Sequence, residues 1–362
     1  MPPNIAKDEY GYLSVYAGEK PWHPEIGTLL ADKPSATPRE IITASKRNGG
    51  KGLGYIVSTV PAGARIGRTW YASESHRAII REDTKQVFGF ASDEFVPIQN
   101  VDVLTVPYNV LRHAQDRKIA KTIGWISAGA IGDGAKLFAT LDLTGLVGEL
   151  AVPGDKSLLR PMLTATWAHD ASEALRFLPV MRRTECANMR TMDIASGERT
   201  GLVARVTHRG DTKAQMTEAL RVLGYVETSI KAYIATMTHL ADITIPAPRK
   251  WIDGFLTNLI PIPPEMERTA GREAAREAIK GLFLNSDTLR GVPFTPYRAL
   301  QAVDEYADHV RPMRSADKAV VAERKMRALL GEGPVAEIKR DAIRLIREEF
   351  EVPTPELVVA RK

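Results

Sequence analysis

TIGWISAGAIGDGAKLFATLDL, residues 122–143, decides the fold class. Two β-rich runs flank Gly132-Asp133-Gly134, and Asp-Gly between such runs is a strong short-range hairpin signal. The pattern recurs on both sides. LRPMLTATWAH (159–169) and ALRFLPVMRR (174–183) read as a second pair of strands split by the polar tip Asp170-Ala171-Ser172-Glu173. GYIVSTV (54–60), HRAIIRED (76–83) and QVFGFASDEFVPI (86–98) read as three more, with Glu82-Asp83-Thr84-Lys85 as the turn between the last two.

Helical signals surround these strands. Thr37-Pro38-Arg39-Glu40 has the form of a capping box with proline at the first helical position, opening a short helix that ends before Asn48-Gly49-Gly50. Residues 99–113 fit a helix, a further short helix is expected from about Glu185 to Met192, and LVARVTH (202–208) fits a strand. Asp211 or Thr212 caps a long helix over 213–243, apolar at Met216, Leu220, Leu223, Val226, Ile230 and Ile234. Beyond Pro246-Ala247-Pro248 the segments 268–284, 296–310, 319–330 and 335–350 are helical in period and richly charged. The expected architecture is α+β. An N-terminal arm (1–36) precedes a body (37–245) of antiparallel β-hairpin sheet packed by helices, and an α-helical C-terminal region with a flexible tail fills 246–362.

The 362-residue chain is 44% hydrophobic, enough for a substantial core. Its one cysteine, Cys186, permits no intramolecular disulfide, and MPPNIAKDEYGYL lacks the basic-then-apolar pattern of a leader. No uncharged apolar run reaches the roughly 18 residues of a membrane span. A soluble, cytoplasmic protein is expected, with no membrane partner.

Charge is unevenly spread. The net charge is only +5, yet from Arg39 to Arg81 eight basic residues face Glu40 and Glu74 alone. A second block, Arg176 to Lys213, has eight basic residues against four acidic ones and includes Arg182 and Arg183. Aromatics are interleaved with these charges. Basic strands carrying aromatics suit single-stranded nucleic acid, since phosphates need cations and unstacked bases need flat faces. Trp70 and Tyr71 stand in the polar stretch Arg68-Thr69-Trp70-Tyr71 and read as base contacts, whereas Trp125 among apolar neighbours reads as core. Lys51, Arg65, Arg68, Arg77, Arg81, Arg182 and Arg183 are the candidate phosphate contacts.

Other chemistry is weaker. Cys186 with His169 and Asp170 has the residue types of nucleophilic catalysis, and Arg182-Arg183 beside an expected helix start would lower the thiol pKa. Against that, isolated cysteines are commonly buried, and Asp170 at a hairpin tip commonly caps its own turn. Seven scattered histidines and one cysteine give no metal-ligand spacing, so no metal is expected. Gly49-Gly50-Lys51-Gly52-Leu53-Gly54 is followed by a strand, not the helix a phosphate loop requires, so no nucleotide cofactor is expected.

Several stretches together resemble one family, the phage and plasmid-like proteins gathered as domain of unknown function 932. They are Pro21-Trp22-His23 with Gly27-Thr28, residues 78–100, the hairpin GDGAKLFATLDL, HDASEALRF with RRTECANM, and TPYRALQAVDEYADHV. Ala171 replaces the glycine of the family's His-Asp-Gly-Ser, and Arg183-Thr184-Glu185 departs from its Arg-Val-Val-Cys-Asn-Thr. The resemblance implies association with mobile elements, hence the host cytoplasm, and no established activity. A more distant resemblance, at the level of fold, is to phage single-strand annealing proteins of the RecT, Redβ and Erf group, and it implies a basic DNA groove and homo-oligomers. The expected function is single-stranded DNA binding, with annealing in recombination or replication. The alternatives are a Cys186-dependent enzyme and a helical oligomeric assembly protein.

Overall fold

The computed structural model describes residues 7–8, 11–12, 14–17, 28–30, 33, 35–46, 50–115, 124–131, 134–184, 189–191, 204–222, 226–265, 269–312 and 333–352, and four short strands lie among its N-terminal residues. β1 (Lys7–Asp8) and β2 (Gly11–Tyr12) pair with each other. β3 (Ser14–Ala17) is buried along its whole length, with β4 (Thr28–Leu30) parallel to it on one side. The run SVYA carries no charge, so it can lie in a sheet covered on both faces. α1 (Pro38–Ser45) begins with the expected capping box: the Thr37 side chain accepts from the Glu40 N–H and the Glu40 carboxylate accepts from the Thr37 N–H.

β5 (Val57–Ile66), β6 (Thr69–Arg81) and β7 (Val87–Ser92) form a three-stranded antiparallel sheet in that order. Val57, Ile79, Phe88 and Ala91 on its inner face join the core. After α2 (Asn100–Gln115) comes the main sheet, built from consecutive hairpins. Its strands are β8 (Gly124–Ile131), β9 (Lys136–Asp142), then, after α3 (Thr144–Val147), β10 (Leu150–Ala151), β11 (Leu158–Ala168), β12 (Leu175–Arg183), β13 (Met189–Thr191) and β14 (Ala204–Val206). The order across it is β13-β12-β11-β9-β8-β3-β4, with β10 paired to β11 and β14 to β12. Both predicted hairpins, 124–142 and 158–183, are therefore present. The short helix expected from Glu185 to Met192 is not: residues 185–188 lie outside the described set, and Met189–Thr191 pair with Val180–Arg182. The open edge of β12 offers unpaired N–H and C=O groups, and satisfying them outweighs a weak local helical preference.

α4 (Thr212–Val222) is capped by the Asp211 carboxylate, which accepts from the Lys213 and Ala214 N–H groups at 3.1 and 3.0 Å. α5 (Val226–Asp242) continues the expected long helix beyond residues 223–225, which are outside the described set. α6 (Pro248–Leu259) is additional to the expected segments, and α7 (Ala270–Asn285), α8 (Pro296–Glu305) and α9 (Gly333–Glu349) match three of them. The fourth, 319–330, lies outside the described residues. One continuous buried cluster runs from Val15 and Trp125 in the sheet through Leu240 to Phe283, Leu300 and Ile346 in the C-terminal helices. Among the described residues no helix is long and apolar enough to cross a membrane.

A buried polar knot fastens the helices to the sheet. Arg183, 2% exposed at the end of β12, donates from Nε and Nη2 to the two oxygens of Asp155, both at 2.8 Å, and from Nη2 to the Thr288 carbonyl at 2.7 Å. Tyr297 of α8 donates to the same carboxylate at 2.7 Å, and the Ser157 N–H adds another bond. Burial alone would raise the Asp155 pKa, but the hydrogen bonds from Arg183, Ser157 and Tyr297 hold it below its ordinary value. In α8, buried Arg298 donates to the carbonyls of Phe283, Leu289 and Val292, closing the turn that leads into the helix.

Candidate nucleic-acid interface

Among the described residues the distal half of the β5–β6 hairpin is exposed along its whole length. Pairing is regular up to Pro61–Arg77 and resumes at Gly63–Ala72, so Ser73 to His76 bulge opposite the single residue Ala62. β7 pairs no further than His76. Beyond the bulge the hairpin is a bare two-stranded ribbon. Its pairs, Gly63–Ala72 to Ile66–Thr69, extend it by about 13 Å at roughly 3.3 Å per residue, and every residue from Gly63 to Ala72 is exposed. The ribbon closes through Gly67 and Arg68, and Gly67 has φ +62°, the conformation that a type II′ turn demands at its first central position.

Strand alternation gives the ribbon two unlike faces. Arg65 and Trp70 are cross-strand partners and share one face with Gly63 and Ala72; at its root stands half-buried Arg77. The indole of Trp70 occupies the space over Gly63. A Cβ at position 63 would come within 2.6 Å of the Trp70 ring and 2.3 Å of the Tyr71 carbonyl. Glycine thus seats the indole against the backbone of β5 and leaves it 55% exposed. Tyr71, paired with Ala64, lies on the other face together with Ile66. That face continues into two rows of the three-stranded sheet, Val60–Ala78–Phe90 and Ser58–Ile80–Val87, and to Ile56. Its two rows hold no charged residue; Glu82 stands opposite Ile56 at one end and His76 opposite Ser92 beyond the Phe90 row, and Ile56, Val60, Ile66, Tyr71, Val87 and Phe90 are its exposed large apolar side chains.

The predicted phosphate contacts divide accordingly. Arg65 and Arg68 are exposed on the ribbon, and Lys51 is exposed in the turn leading toward β5. Arg81 is corrected: it is 1% exposed, clamps Asp83 through Nε and Nη2 at 2.7 and 3.0 Å, and lies 4.3 Å over the Tyr55 ring. Arg183 is corrected likewise, since its guanidinium belongs to the buried knot with Asp155. Arg182 is half-buried at the same end of β12. The three-stranded sheet meets the other end, where Phe88 stacks beside His169 at 5.9 Å. Nine residues of β12 separate the two ends by about 26 Å at roughly 3.3 Å per step, so Arg182 and the ribbon do not form one surface. Trp125 is fully buried and donates to the Leu104 carbonyl, as its apolar neighbours predict.

The catalytic alternative finds no support in geometry. Cys186 lies outside the described residues. His169 is 0% exposed, and burial, followed by the neighbouring charge of His208, depresses its pKa to about 3. Trp167 Nε1 can only donate, so the Asn100 atom it meets at 3.0 Å is the carbonyl oxygen, and His169 Nε2, 2.8 Å from that oxygen, carries the proton. The basic Nδ1 is sealed in the interior without a hydrogen-bond partner among the described residues. The Asp170 carboxylate accepts from the Ser172 N–H at 2.9 Å, as a turn cap does. Among the described residues no group of three or more His, Cys, Asp or Glu is placed to hold a metal ion.

A search of curated proteins and a search of solved structures each gave no match. A family model does match, over residues 87–330, so that β7, the main-sheet hairpins and α4 to α8 fall inside it while β5 and β6 precede it. With about two thirds of its length covered, the chain belongs to the family described as Domain of unknown function (DUF932).

Proposed function

We propose that the chain binds single-stranded DNA along the Arg65–Trp70 face of the β5–β6 ribbon, without a nucleotide cofactor, and that it acts in strand annealing. The observation that carries the reading is the exposed indole of Trp70, seated on Gly63 and flanked by Arg65, Arg68 and Arg77. A base stacked on the indole finds cations within reach of its phosphates, the combination on which sequence-tolerant single-strand binding relies. Lys51, exposed in the turn before β5, is the further candidate phosphate contact.

The test is a titration of labelled single-stranded and duplex oligonucleotides followed by fluorescence anisotropy. Three arginine–phosphate contacts predict that a tenfold rise in salt weakens single-strand binding by about 100-fold. Trp70→Ala is expected to weaken it by roughly 5- to 150-fold, the worth of one stacked base. Binding that ignores salt, or that Trp70→Ala leaves unchanged, refutes the reading.

A further inference from the structure

We infer that the apolar face of the β5–β6–β7 sheet, running from Ile56 and Val87 through Val60 and Phe90 to Tyr71 and Ile66, is the contact through which two copies of this chain pair back to back. Exposed apolar surface of this extent is unusual on a chain that stays alone. From their fractional exposures the six side chains present on the order of 600–700 Å² on each chain, so pairing two such faces removes at most on the order of 1,200–1,400 Å² from water, the lower end of the range for a specific interface. A strongly charged partner has little countercharge to recognise there, because the rows Val60–Ala78–Phe90 and Ser58–Ile80–Val87 contain none and only Glu82 and His76 border them. A second copy matches without any such requirement: a flat apolar sheet face packs on its own image at about 10 Å, and closed two-fold pairing leaves no face open for further growth.

The geometry also decides what remains outside. Trp70 and Arg65 lie on the face opposite Tyr71 and Ile66, so back-to-back pairing buries no cation and leaves two basic, aromatic faces pointing away from each other. The dimer stands on the apolar face alone; its consequence rests on the single-strand reading. Each copy would then hold one strand, and a single dimer would hold the two strands that annealing joins.

Size-exclusion chromatography with light scattering tests the contact on the full chain. Wild type and Trp70→Ala are expected to run at twice the 39.8 kDa chain mass, and Phe90→Glu at the chain mass with an unchanged circular dichroism spectrum. Val87→Lys, at the neighbouring row, is the second variant and is expected to do the same. In a strand-annealing assay Phe90→Glu is expected to lose the acceleration while keeping single-strand affinity within about threefold. A monomeric wild type, including one that instead floats with phosphatidylcholine vesicles, overturns the inference, as does a dimer that survives both substitutions. A dimer sensitive to both substitutions that binds no DNA upholds the contact and overturns the nucleic-acid reading.

Discussion

Replacing Asp155 by alanine should unfold the protein more easily than any single change on the ribbon. Asp155 receives two bonds from Arg183, one from Tyr297 and one from the Ser157 N–H. Arg183 is 2% exposed, and with alanine at 155 its guanidinium keeps the Thr288 carbonyl but loses the carboxylate that it clamps. Removing one partner of a buried ion pair costs about 3–5 kcal/mol. Urea unfolding should report that loss as a lower midpoint at unchanged slope. Asp155→Asn keeps the shape and one acceptor and should cost less, about 2 kcal/mol. Asp155→Leu with Arg183→Met removes both charges and should return to within about 2 kcal/mol of wild type. Because the folded Asp155 pKa lies below its unfolded value, the contribution is complete above the unfolded pKa and disappears as pH falls through the folded one. A loss below about 1 kcal/mol for Asp155→Ala, or a double variant no better than it, would show that the cost does not come from breaking the Arg183–Asp155 pair.

Three further outcomes follow from the same structure. His169 is neutral when folded and its pKa is depressed to about 3, so its contribution is present above the unfolded value near 6.5 and should fall by about 2 kcal/mol between pH 7.5 and 5; His169→Gln should flatten that slope in urea midpoints taken across the range, and an unchanged slope refutes the assignment. Gly63→Val puts atoms where the Trp70 indole sits and should weaken single-strand binding by roughly as much as Trp70→Ala, about 5- to 150-fold, and, because its Cβ also meets the Tyr71 carbonyl at 2.3 Å, should lower the melting temperature where Trp70→Ala does not. Arg298→Lys cannot reproduce the fork that reaches the carbonyls of Phe283, Leu289 and Val292, and should cost about 2–4 kcal/mol in urea unfolding; a near-neutral result would mean that those carbonyls are otherwise satisfied.

The hairpins of the main sheet were legible because their turns advertise themselves, through Asp133-Gly134 and the polar tip Asp170–Glu173, and because buried strands are continuous apolar runs. The distal ribbon was not. PAGARIGRTWYASE shows neither period, since a ribbon exposed on both sides has no core to impose alternation, and only the Gly67-Arg68 turn marked it. Trp70 and Tyr71 were recognised as surface residues, but their assignment to opposite faces depends on the register of β6 against β5. Arg81 carried a local warning in Asp83, two residues away, whereas Arg183 finds Asp155 and Thr288 far along the chain. Local sequence cannot separate a buried, paired arginine from a solvated one when the partner is that remote. Met189–Thr191 failed for the same reason, since the edge of β12 that recruits them is a tertiary feature.

The placement of β3 has a consequence for how the protein is made. Three of its four buried residues, Ser14 to Tyr16, pair with Ser127–Gly129 of β8, so during synthesis the strand leaves the ribosome with no antiparallel partner. At roughly 5–20 residues per second that partner follows on the order of ten seconds later. In the interval α1 and the three-stranded sheet can form from contiguous chain, while the N-terminal strand waits with only β4 available to pair with it. Completion of the main sheet is thus timed by the emergence of the 124–142 hairpin, and a slow stretch of translation just ahead of it would prolong exposure of an aggregation-prone strand without altering a single amino acid.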